Sequence, residues 1–180
     1  MLLLTFGHGT ATAAEMARLL QHAEVRRLVD VRTAPGSRHN PDAGRDTMAR
    51  WLPQAGITYR WDNRLGGWRT ARPDTPDTAL RNRAFAGYAA HMRSPEFLAA
   101  MEELLAEAAV ERTTVMCAES VWWRCHRKLI ADFLVLARRA QVLHLMHDGR
   151  LRPHPVSPEA RLLPGRQLLV YDAGQEPLPG

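Results

Sequence analysis

Lysine is nearly absent: Lys128 is the one lysine among 24 basic residues, the rest being arginine, against 19 acidic ones. That bias, with abundant alanine, reads as the composition of a high-GC bacterial genome, so the net charge of +5 is weak evidence for a nucleic-acid partner. Cysteine is equally scarce. Cys117 and Cys125 cannot build a disulfide framework, and in a reducing compartment both are expected as thiols. No apolar run approaches the ~20 residues of a membrane span, and no basic lead precedes the short run Leu2-Leu3-Leu4, so a cytoplasmic protein with no membrane partner is expected. Also missing are a glycine-rich dinucleotide fingerprint, a phosphate-binding loop with lysine, and a Gly-x-Ser-x-Gly elbow.

What the chain of 180 residues does have is alternation. One domain is the default at this length, able to bury roughly 70% of its unfolded surface. Leu2 to Phe6 reads as a buried strand, after which Thr12-Ala-Ala-Glu15 fits a capping box before Met16, Leu19, Leu20 and Ala23 at helical spacing. Leu28 to Val31 and Ile57 to Trp61 read as strands, separated by a helical face of Met48, Trp51, Leu52 and Ala55. Ser94-Pro95-Glu96 opens a helix that buries Phe97, Met101, Leu104, Leu105 and Ala108. Thr113 to Ala118 is then a strand, and Ile130, Phe133, Leu134 and Ala137 mark a helix. Val142 to Met146 is a further strand before an Asp148-Gly149 turn.

This pattern predicts an α/β fold over residues 1–152, a single domain with a mostly parallel sheet of about five strands flanked by helices. The architecture is Rossmann-like or flavodoxin-like, with the strand order left open. Two stretches break the alternation. Residues 60–83 read as an irregular insertion, either a lid or a surface excursion. Residues 153–180 read as a proline-rich tail, packed on the domain or partly flexible, with a short strand possible at Gln167 to Tyr171.

In an open parallel sheet, ligands sit outside the carboxyl ends of the strands, where loops converge and helix N-termini point inward. The polar residues fall at those ends. His8 follows the first strand; Asp30 and Arg32 close the second, with Ser37 in the next loop; Gly66-Gly67 follow the third; Cys117 and Glu119 close the fourth; Cys125-His126-Arg127 opens a helix. One strand-end cleft is therefore expected.

Its catalytic candidates are Cys117 as a thiolate nucleophile, Glu119 as acid, base or nucleophile, and His8 and His126 in proton transfer. The ligand-binding candidates are Asp30, Arg32, Ser37 and Arg127. Arg32 and Arg127 would form an anion clamp, since guanidinium groups bind oxyanions bidentately. Each has a structural alternative: an Asp30–Arg32 or Glu119–Arg127 ion pair, or cysteines that simply pack. No metal is expected, because Cys-x7-Cys-His matches no common zinc pattern and the neighbours Cys125 and His126 are not expected to face one ion. Trp122 and Trp123 read as a stacking wall or as a plug against residues 60–83.

The segments Thr5-Phe6-Gly7-His8-Gly9-Thr10, Val29-Asp30-Val31-Arg32 with Pro35 and Ser37, Leu65-Gly66-Gly67, and Phe85 to Tyr88 form one joint pattern. Met116-Cys117-Ala118-Glu119 with Cys125-His126-Arg127, and His147-Asp148-Gly149, complete it. Together they resemble, over most of the chain, the bacterial family called domain of unknown function 488. The resemblance implies no particular activity, cofactor or catalytic residue. One departure is Gly9, where members often carry serine.

The expected function is binding of, or catalysis on, a small anionic or nucleotide-like ligand in the cleft, with cofactors unspecified. Two other readings are a nucleic-acid-associated accessory protein, using residues 60–83 with Trp61, Trp68 or Trp122 stacked on bases, and a thiol redox switch through Cys117 and Cys125.

Overall fold

Thr12 starts the first helix as its sequence requires. Its hydroxyl accepts from the Glu15 amide at 3.2 Å, and the Glu15 carboxylate accepts from the Thr12 amide at 2.8 Å. The structure, a computed structural model, describes residues 1–36 and 38–174. The elements run β1 (Leu2–Gly7), α1 (Ala13–His22), β2 (Arg27–Asp30), α2 (Arg45–Gln54), β3 (Thr58–Trp61), α3 (Arg83–His91) and α4 (Pro95–Val110). They continue with β4 (Thr113–Cys117), α5 (Arg127–Arg138), β5 (Gln141–Leu145), β6 (Leu151–Pro153), β7 (Ala160–Leu162) and β8 (Leu169–Tyr171).

The main sheet has six strands in the order β3-β2-β4-β1-β5-β6, one more than the sequence pattern indicated. All neighbours pair in parallel except β5 with β6, which form an antiparallel edge hairpin. The extra strand is only three residues long and ends in Pro153, which an edge position tolerates because no ladder donor is needed there. The α/β, mostly parallel, single-domain architecture is the one expected, and it is Rossmann-like.

Side chains alternate across the strands and divide the core in two. Leu4, Phe6, Leu28, Met116 and Leu145 pack with Met16 and Leu20 of α1 and Met48 and Leu52 of α2. Leu3, Val29, Val115 and Val142 face the other way, onto Tyr88 of α3, Met101 and Leu104 of α4, and Ile130 and Phe133 of α5. The chain therefore leaves β2 toward one face and β4 toward the other. Adjacent strands whose connections diverge open a crevice at their carboxyl ends.

The helix α3 was not visible in the hydrophobic pattern. Gly87 sits in its interior, where glycine costs about 1 kcal/mol of helix propensity relative to alanine. A Cβ at Gly87 would stand 2.6–2.7 Å from the backbone of residues 69–71, so close packing of that segment accounts for the glycine. The segment is pinned again where the Tyr88 hydroxyl donates to the Leu65 carbonyl at 2.8 Å. Residues of the tail also enter the core: Leu169 and Tyr171 of β8 are buried.

Candidate functional site

The crevice between β2 and β4 is a cleft of about 290 Å³. The loop after β2 supplies Arg32, Thr33 and Ala34, and the loop after β4 supplies Cys117, Ala118 and Glu119. Gly67 and Trp68 enter from the segment before α3, Phe85 from α3, and Arg124, Cys125 and His126 from the approach to α5. Trp68 is 77% exposed, an indole left largely in water at the edge of a cleft.

Arg32 is held by Asp30. The carboxylate, fully buried, accepts from Arg32 Nε at 2.8 Å and Nη2 at 2.6 Å, from the Arg32 amide at 3.2 Å, and from the Tyr59 hydroxyl at 2.8 Å. That is a bidentate, charge-assisted pair. Beside it, His8 Nδ1–H donates to the Gly9 carbonyl at 2.9 Å, which leaves Nε2 to accept from Arg32 Nη1 at 3.2 Å. Burial first, and then the charge of Arg32, holds the His8 pKa below its ordinary value. Asp30 and His8 thus lie behind Arg32 and fix it, and neither lines the cleft.

The floor is made by Cys117, Cys125 and His126. His126 Nε2 lies 3.0 Å from the Val31 carbonyl, which can only accept, so Nε2 carries a hydrogen and Nδ1 of the neutral ring is a bare lone pair. That lone pair is 3.5 Å from Cys125 Sγ and 3.8 Å from Cys117 Sγ. The ring is also confined from outside: a Cβ at Gly67 would collide with it, and Tyr88 meets it edge-on at 5.0 Å. The thiols share a hydrogen bond, which holds the Cys125 pKa well below its ordinary value, with help from the charge of Arg127. The same bond, together with burial, pushes the Cys117 thiol well up.

This geometry corrects the expectation that Cys125 and His126 do not readily face one ion. Cys125 is extended (φ −121°, ψ 151°), whereas His126 has turned helical (φ −58°, ψ −15°) to begin α5. In a continuous strand, neighbours point to opposite sides. The change of backbone region between the two residues brings both side chains to the same side, and the three donor atoms lie within 4.8 Å of one another.

Arg127 is placed differently from the expected clamp. At the first turn of α5 it is 1% exposed and reaches beneath β1, with Nη1 toward the Thr5 hydroxyl at 3.4 Å and Nη2 donating to the Glu119 carbonyl. Its Nε has no hydrogen-bond partner among the described residues. Gly7 makes the room, since a Cβ there would strike both that guanidinium and the Glu119 carbonyl. Arg127 does not line the cleft, so Arg32 and Arg127 form no clamp; the second arginine on the cleft wall is Arg124, exposed in the short turn that precedes α5.

Glu119 is exposed on the rim, one carboxylate oxygen accepting from the Val121 amide at 3.2 Å. Ser37 lies outside the described residues. The structure therefore brings Arg32, Cys117, Glu119 and His126 to one cleft, places His8 and Asp30 behind it, and buries Arg127 against β1. Sequence reasoning missed Phe85 and Arg124 as wall residues and considered Trp68 only as a base-stacking group. The Gly66-Gly67 pair just before Trp68 was the available signal.

Among curated proteins and among solved structures, none matches this chain. A family model does match, over residues 12–134, a span that takes in β2, the cleft loops and most of α5. On that match the chain belongs to the family described as Domain of unknown function DUF488.

Proposed function

We propose that the protein is an enzyme that acts on a small anionic or nucleotide-like ligand held in the cleft between β2 and β4. The observation that carries this reading is the shared opening of Trp68, Arg124, Glu119 and the Cys117–His126 floor onto one cavity. A planar group stacks against Trp68 and Phe85, an anionic group meets Arg124 and the outer edge of Arg32, and the reacting end faces the floor. At about 290 Å³ the cavity sits at the small end of ligand sites, which suits one base or sugar phosphate and not a dinucleotide. Glu119 is the acid–base candidate beside the floor. Cys117 as a free thiolate nucleophile is disfavoured, because its bond to Cys125 and its burial hold the proton on it.

Calorimetric titration and thermal-shift screening with nucleosides, nucleotides, inorganic phosphate and small carboxylates test the reading. Trp68→Ala and Arg124→Ala should each weaken binding by roughly tenfold to a hundredfold, with little change in melting temperature because both side chains are exposed. If none of these compounds stabilises the wild type, the reading is wrong.

A further inference from the structure

We propose that Cys117, Cys125 and His126 hold one soft divalent cation, zinc by preference, with a fourth coordination position open to the cleft. The donors stand on their own geometry, and only the openness of the fourth position rests on the cleft reading above.

The first support is distance. A tetrahedral zinc with Zn–S near 2.3 Å and Zn–N near 2.05 Å separates sulfur from nitrogen by about 3.6 Å and sulfur from sulfur by about 3.8 Å. The two Sγ–Nδ1 separations here are 3.5 and 3.8 Å, and all three donor atoms fall within 4.8 Å of one another. The donors therefore already stand near the vertices of a coordination polyhedron. The second support is the tautomer. The hydrogen on Nε2 is committed to the Val31 carbonyl, so Nδ1 presents its lone pair to the two sulfurs. An imidazole whose far nitrogen donates to a carbonyl is the usual outer support of a metal-bound histidine. Gly67 and Tyr88 hold the ring in that orientation.

The third support is the weakness of the hydrogen bonds that link the three groups, since a thiol is a poor donor and a poor acceptor. A cation between them engages all three donors together, each coordinating thiol giving up its proton to solvent. Two thiolates and an imidazole select zinc over magnesium or calcium, which take oxygen ligands. Three protein ligands with one position left open are the pattern of zinc sites that bind and polarise a water or a substrate; closed structural sites have four. The sequence spacing hid this because a backbone turn, and not a short motif, aligns Cys125 with His126.

The test uses the full chain, kept reduced and titrated with cobalt(II) chloride alone. Expected is a thiolate-to-cobalt charge-transfer absorption in the near ultraviolet that saturates at about one cobalt per chain and is bleached by zinc. Cys117→Ser and Cys125→Ser should each lose roughly half of that absorption or more, circular dichroism reporting whether the variant is folded. Wild type that shows no charge-transfer band, or binds cobalt with only the weak spectrum of exposed histidines, overturns the proposal whatever the variants do. Cobalt binding without any nucleotide or anion binding upholds the metal site and overturns the cleft reading. Nucleotide binding by a wild type that takes no cobalt does the reverse.

Discussion

The indole of Trp122 lies flat on the imidazole of His144, with ring centroids 4.2 Å apart and planes 5° from parallel. His154 meets the same indole edge-on at 5.4 Å. Trp122 is therefore a cover over a buried polar chain at β5, and neither it nor Trp123 lines the cleft. Beneath it, hydrogen bonds run in one direction. Asp132 accepts from His154 Nε2 at 2.8 Å, His154 Nδ1 accepts from His144 Nε2 at 3.0 Å, and His144 Nδ1 accepts from the Thr5 hydroxyl at 2.7 Å. Each imidazole in this series donates once and accepts once, as a neutral ring does.

His144 should accordingly resist protonation. Burial first, and then its neighbours His154 and Arg127, lowers its pKa from 6.5 to about 3. Below the unfolded value the unfolded chain takes up a proton that the folded protein refuses. Stability from this residue is present above pH 6.5 and falls as the pH drops toward 3, by up to about 1.4 kcal/mol per pH unit. His144→Gln should remove that contribution to the slope of unfolding free energy against pH. Urea melts at several pH values between those limits check it, and equal slopes in variant and wild type would falsify the assignment.

Asp132 should hold the C-terminal tail in place. Fully buried on α5, it accepts from His154 Nε2, the Ser157 amide at 2.8 Å, the Ser157 hydroxyl at 2.6 Å and the Tyr171 hydroxyl at 3.0 Å. Asp132→Ala leaves these donors without their acceptor, and the expected loss is about 3–5 kcal/mol. Hydrogen exchange should rise first in residues 154–171 and only later in β1 and β4. Unchanged exchange in the tail would show that apolar packing of Leu169 and Tyr171 holds it alone.

The parts legible in the sequence are those fixed by local rules. The capping box at Thr12, the Pro95 helix start and the apolar strands each depend on residues a few positions apart. The gathering of Arg32, Cys117 and Glu119 followed from strand-end logic. What could not be read depends on contacts between distant segments. Gly87 looks like a helix breaker until residues 69–71 are seen pressed against it. The buried direction of Arg127 follows from the absence of a side chain at Gly7, 120 positions earlier in the chain. The joint facing of Cys125 and His126 depends on the residue at which extended backbone becomes helix.

Arg127 and Arg124 provide the sharpest test of this division, because one arginine is buried against β1 and the other is exposed on the cleft wall. Arg127 ties α5 to β1 through Thr5 and to the loop after β4 through the Glu119 carbonyl. Arg127→Ala removes both links and leaves a cavity, so unfolding free energy should fall by about 2–4 kcal/mol. Affinity for inorganic phosphate or nucleotide, measured where the variant is still folded, should change less than about threefold, since no contact to the cleft is lost. Arg124→Ala should behave oppositely, with stability within about 0.5 kcal/mol of wild type and binding weakened roughly tenfold or more. Gly7→Ala extends the argument, because its added methyl would occupy the space of the Arg127 guanidinium and of the Glu119 carbonyl. Combined with Arg127→Ala it should cost less than the sum of the single changes, as only the clash with the carbonyl remains. Additive losses in that double mutant, or a binding defect in Arg127→Ala larger than in Arg124→Ala, would return Arg127 to the cleft.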